Sequence, residues 1–158
     1  MKLESLQMPA RALPTSDFVS RPIGAANGKR APKRVAKVLA FAANGCEVTK
    51  ISAGKLFGKI AERSPLPVGT LRAQLIPDSS WKRSTDVLGP AASQTVTRLA
   101  RVLAFAARTW NSEADAIDWL LGTHMELGGA TPYSLLRTES GGRAVENLMA
   151  ALEYGFAL

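Results

Sequence analysis

The chain has 158 residues but only one cysteine, Cys46, and one histidine, His124. A single cysteine excludes an intramolecular disulfide and fits a reducing compartment. One Cys and one His far apart in sequence give neither a zinc ligand set nor a Cys/His nucleophilic pair. Aromatic residues are scarce at 6%, although hydrophobic residues reach 46%. The apolar set therefore leans on Ala and Leu, strong helix formers, and an all-α fold is expected. No run approaches the ~18 apolar residues that span a bilayer. The N-terminus has no apolar stretch of the secretory kind, so a cytoplasmic location is expected, away from membranes. No lysine follows Gly128-Gly129 in the manner of a phosphate-binding loop. With no nucleophile–base pair either, no catalytic residue, metal site or cofactor is expected.

What is present is basic charge, unevenly spread. The net charge is +7. Residues 1–34 carry a net +5, residues 35–98 another +5, and residues 99–158 a net −3. Such a division points to a polyanion at one end and a different partner at the other. The length suits one domain, or two small ones sharing a core.

Residues 1–30 hold Pro9, Pro14, Pro22, Gly24 and Gly28 without sustained periodicity, and read as an extended basic arm. A helix is expected from Pro32 through Phe41, closed by Asn44-Gly45. A second is expected over 55–63, with Leu56, Phe57 and Ile60 inward. Pro65 and Pro67 then force a turn. A short helix follows over 68–75 and stops at Ile76-Pro77. Residues 78–90 read as a polar connection. A long helix is expected over 90–110, and Asn111-Ser112 caps the next one, which ends at Gly122. Thr131-Pro132 opens a single helical turn. The last helix starts at Thr138-Glu139 and stops at Gly155. Residues 35–43 and 99–107 agree at seven of nine positions, as two core helices built alike would. The surrounding sequence does not repeat, so no solenoid follows.

The segment from Ile60 to Gln74 has the spacing of a helix-turn-helix, with Leu66 and Leu71 pinning the two helices. Thr70, Arg72 and Gln74 would face DNA bases, and Lys82 and Arg83 phosphates. Helix–proline–helix corners also occur as plain scaffold. Here Pro65 replaces the usual turn glycine, and Ser64 stands where an apolar residue is common.

The C-terminal third holds a denser pattern. It runs Trp119-Leu-Leu, then Leu127-Gly128-Gly129-Ala-Thr131-Pro132-Tyr-Ser-Leu135-Leu136, Thr138-Glu-Ser-Gly141, Val145-Glu146 and Tyr154-Gly155. It is preceded by Arg98-Leu-Ala-Arg-Val-Leu-Ala-Phe-Ala. These residues closely resemble the Xre/MbcA/ParS antitoxin family, over roughly residues 60–158 and most strongly over 98–155.

The resemblance implies an Xre-like helix-turn-helix domain over 31–97, followed by a small helical toxin-binding and dimerisation domain over 98–158. It also implies a RES-domain toxin as partner, an NAD hydrolase or ADP-ribosyltransferase, and repression of the chain's own operon as a homodimer on operator DNA. By the same resemblance the antitoxin's C-terminal end covers the toxin's cleft. That places Leu127, Gly128, Glu153, Tyr154, Gly155, Phe156, Ala157 and Leu158 at the toxin. A homodimeric helix-turn-helix regulator with no toxin partner is the alternative.

The residues themselves also carry plainer readings. Trp119 suits a core position, His124 a surface loop, Gly128-Gly129 a turn, and Glu139 the positive end of a helix dipole. Cys46 reads as inert. The apolar tail Phe156-Ala-Leu158 reads as functional, since nothing in the sequence covers it.

Overall fold

A 21-residue helix with an unbroken apolar stripe organises the fold. The computed structural model describes residues 48–154; the arm over 1–30, the helix expected from Pro32, Cys46 and residues 155–158 lie outside them. The described residues form α1 (Lys50–Ala61), α2 (Val68–Leu75), α3 (Asp78–Arg83), α4 (Pro90–Trp110), α5 (Glu113–Leu121), a 3-10 turn (Met125–Leu127), α6 (Pro132–Leu135) and α7 (Glu139–Tyr154). Among them there is no strand beyond one isolated bridge, Thr49 to Val87, and the fold is all-α.

Local chemistry accounts for most boundaries. Pro90 opens α4 at a position that needs no backbone N–H, and Asn111 closes it at φ 51°. Ser112 caps α5 by accepting from the Asp115 amide at 3.2 Å, and Thr131 caps α6 by accepting from the Ser134 amide at 3.2 Å. Thr138 does the same for α7 through the Gly141 amide at 3.1 Å. Two expectations need correction. The second helix begins at Lys50 rather than near residue 55, because Thr49 caps it by accepting from the Ser52 amide at 3.2 Å. The polar connection over 78–90 contains α3, opened by Pro77 and by Asp78 in its first turn.

One core runs from α1 to α7. It includes Phe57, Ile60, Leu71, Leu99, Leu103, Leu120, Leu136 and Met149. The alanines of α4 (Ala92, Ala100, Ala106, Ala107) are buried with its Val and Leu residues, and α5 and α7 pack against this helix. Leu71 is buried at the α1–α2 corner as expected. Leu66 is 38% exposed and does not pin the two helices. Its amide donates to Ser64 Oγ at 3.1 Å, which holds the turn with the leucine facing outward.

α4 and α7 run parallel, joined by ion pairs whose residue numbers rise together: Arg98–Glu139, Arg101–Glu146 and Arg108–Glu153. The first has the most buried arginine and the most exposed carboxylate. Arg98 is buried, and its guanidinium donates to the Leu136 carbonyl at 2.8 Å and to Glu139 Oε2 at 2.6 Å. The adjacent glycines make room for this. A Cβ on Gly142 would collide with the Arg98 side chain. One on Gly141 would overlap the Leu135 carbonyl group and lie 2.9 Å from Thr138 Oγ1.

Backbone cannot yield as a flexible side chain can. Gly141→Ala is therefore expected to destabilise the fold by about 2 kcal/mol, read from chemical denaturation. A second outcome concerns acid. The hydrogen bond from Arg98, its charge, and then Arg143 hold the Glu139 carboxyl below the ordinary carboxylate range. A depressed carboxyl contributes stability that is full above its unfolded value and is lost as pH falls through its folded value. Melting temperature should thus fall below about pH 4.5, and fall less steeply in Glu139→Gln.

Candidate functional site

The residues expected to meet DNA lie on α2 and α3. Thr70 and Gln74 are exposed on α2, and Lys82 and Arg83 are exposed on the last turn of α3. Arg72 is differently placed. It forms an ion pair with Asp78 and lies 5.1 Å from the centre of the Trp81 ring. Lys50 approaches the same ring at 5.4 Å and donates to the Ser84 carbonyl at 2.9 Å. Arg72 is thus part of the joint between α2 and α3. The Arg72 hydrogen bond and charge hold the Asp78 carboxyl below its ordinary range. This joint was not legible in the residue order, because it depends on the unforeseen α3.

The corner is fastened to the C-terminal half from two sides. At the end of α1, Lys59 pairs with Glu113, and Arg63 pairs with Asp118, with Arg63 Nε donating to Asp118 Oδ1 at 2.7 Å. A shallow cleft between these helices is lined by Lys59, Glu62, Arg63, Glu113, Ala114 and Ile117. Its two cations are already engaged. At α2, the buried Tyr133 of α6 donates its hydroxyl proton to the Leu71 carbonyl at 2.7 Å. Burial pushes this phenol's pKa upward, so it stays a proton donor.

The loop from Gly122 to Ala130 carries the first of the expected toxin contacts. Leu127 is partly buried against the core, and Gly128 is exposed. Gly128 and Gly129 have φ of 66° and 77°, the left-handed region where a side chain is strained. The Gly129 and Leu127 amides donate to the His124 carbonyl at 2.9 and 3.1 Å, and the His124 amide donates to Ala130 at 3.2 Å. His124 is a strut rather than a free surface residue. Its Nε2 lies 2.9 Å from the Trp119 carbonyl, so the proton sits there, and its ring packs 5.1 Å from the Trp119 ring. Trp119 is buried, as expected. The turn displays Met125, 86% exposed, which no pattern in the sequence marks.

Two of the remaining expected contacts lie at the end of α7. Glu153 pairs with Arg108 at 3.4 Å, and Tyr154 is the last helical residue. The 3-10 turn packs against α7, but Glu153 is held by α4. Gly155, Phe156, Ala157 and Leu158 lie outside the described residues. The acidic charge of this third is largely used within the fold. Glu113, Asp118, Glu139, Glu146 and Glu153 all form ion pairs, leaving Asp115 and Glu126 outside them. The seven-residue spacing of Glu139, Glu146 and Glu153 was readable as one helical face, as was their match in Arg98, Arg101 and Arg108.

Residues 105–155 match the family described as the antitoxin Xre/MbcA/ParS C-terminal toxin-binding domain. A curated protein named Antitoxin Xre, from Photorhabdus laumondii subsp. laumondii, is 39% identical over 64 residues. That stretch is 40% of this chain and 43% of the relative, so the chain spans less than half the relative's length. The match takes in the end of α4, all of α5, the glycine loop, α6 and α7, where the motif residues build caps, core and close packing. Residues 105–155 of this chain are thus similar to the toxin-binding domain of that antitoxin family.

Proposed function

We propose that the chain is the antitoxin of a type II toxin–antitoxin system. It binds a RES-domain toxin that hydrolyses NAD or uses it for ADP-ribosylation, and inhibits it by covering the active-site cleft. The observation that carries this reading is the match of residues 105–155 to a toxin-binding domain. The geometry is compatible with it: the motif residues brace a rigid glycine loop, and α7 delivers the chain at Tyr154 to residues 155–158. The chain's own part is steric and electrostatic, with no bond made or broken by its side chains. No helix among the described residues is long and apolar enough to cross a membrane, and the proposed setting is the cytoplasm.

Residues 98–158 hold the toxin in this reading, and residues 31–97 read operator DNA as part of a homodimer that represses the chain's own operon. The DNA-facing groups are Thr70 and Gln74 on α2, with Lys82 and Arg83 on α3 as phosphate contacts. Arg72 serves both stability and presentation, because its guanidinium already holds Asp78 and Trp81.

Two experiments test the two halves. Deleting residues 154–158 keeps the Arg108–Glu153 pair but removes Phe156 and Leu158. Burial of such side chains is worth about 1.5–3 kcal/mol each, so toxin inhibition should weaken by about tenfold or more, measured as NAD consumption. Full inhibition by the truncated chain would end the cleft-plug mechanism. On DNA, Gln74→Ala should relax base preference without lowering the melting temperature. Lys82→Ala should weaken binding evenly across sequences and reduce the salt slope by about one. Arg72→Ala should lower both DNA affinity and melting temperature. If all three bind operator DNA as the wild type does, the corner is scaffold alone.

A further inference from the structure

We infer that the Tyr133 hydroxyl, supplied by the toxin-binding half of the chain, positions α2 for DNA, so that residues 48–97 are not an autonomous DNA reader. This rests on the proposed DNA role of α2. Tyr133 is 1% exposed, and its hydroxyl crosses 62 positions of sequence to reach the Leu71 carbonyl at 2.7 Å. Leu71 lies between Thr70 and Arg72, in the middle of the helix whose outer face would meet the bases.

A helix of eight residues cannot hold an orientation by itself. It lies well below the length at which isolated helices are stable, so packing must orient it. Three sets of contacts do so here. Leu71 and Leu75 are buried in the common core. Arg72 joins α2 to α3 through Asp78 and Trp81. The third is Tyr133, whose hydrogen bond to the α2 backbone is directional where apolar packing is not.

The placement of Tyr133 makes it specific to positioning. It lies between Pro132 at the start of α6 and the buried Leu136. α6 is capped by Thr131 and followed by the turn that Arg98 braces through the Leu136 carbonyl. The phenol is therefore held from its own side, and α2 is the lighter partner. The pairs Lys59–Glu113 and Arg63–Asp118 fix the far end of α1 to α5 in the same way. The corner thus takes its orientation from α5 and α6.

Tyr133→Phe in the full chain is the test, since it keeps the ring and removes the bond. It is read on three quantities: affinity for a DNA fragment from the chain's own upstream region, affinity for random-sequence DNA, and amide hydrogen exchange across α2. Specific affinity should fall by about fivefold, the worth of one buried hydrogen bond. Random-sequence affinity and inhibition of the toxin should be unchanged. Exchange should rise in α2 and stay constant in α4. A general loss of stability would raise exchange in both helices, and that result overturns the inference. So does unaltered specific affinity with unaltered α2 exchange. If the wild-type chain shows no preference for its own upstream DNA, the DNA reading itself fails. Exchange in α2 against α4 then decides whether Tyr133 holds the helix.

Discussion

Arg98 is a cation with little water around it, and much of the C-terminal half is arranged to satisfy it. A buried guanidinium left unpaired would cost several kcal/mol. This one is met by a main-chain carbonyl at the end of α6 and by a carboxylate in the first turn of α7. The same charge therefore sets where α6 stops and where α7 starts. Gly141 and Gly142 follow from it: the backbone must pass close to the Arg98 side chain and to Leu135, and a Cβ at either position has no room. Once α7 is set at that end, Arg101 and Arg108 guide it along α4 in parallel register.

This arrangement changes what the charge of the C-terminal third means. Counted along the sequence, it is an acidic segment suited to a basic cleft. In the fold, five of its seven acids neutralise arginines or lysines of the same chain. Less acidic surface is left for a partner than the count suggests, and complementarity of shape has correspondingly more to do. In the proposed reading the turn bearing Met125, Leu127 and Gly128 supplies that shape, because its backbone bonds and left-handed glycines leave little freedom to lose on binding.

The two halves also share more than a boundary near residue 98 implies. α4 starts before that boundary and lies in the core of both sides. Lys59, Arg63 and Leu71 all find partners beyond residue 110. A surface proposed to meet one partner is thus joined, through packed side chains and directional bonds, to a surface proposed to meet another.

Residue order alone determined the helical class and the punctuation. The bounds of α2, α4, α5 and α6, and the start of α7, follow from Pro67, Pro77, Pro90, Asn111-Ser112, Gly122, Thr131-Pro132 and Thr138, because caps and proline act over three or four residues. The burial of Trp119 and the turn at Gly128-Gly129 were legible for the same reason. α3 was not, because five polar residues and a lone tryptophan after a proline have no periodicity to betray a helix. The outward face of Leu66, the engagement of Arg72, the strut at His124 and the bond from Tyr133 to Leu71 were beyond sequence too. Each depends on which groups meet across tens of residues, and only the packed core brings those groups together.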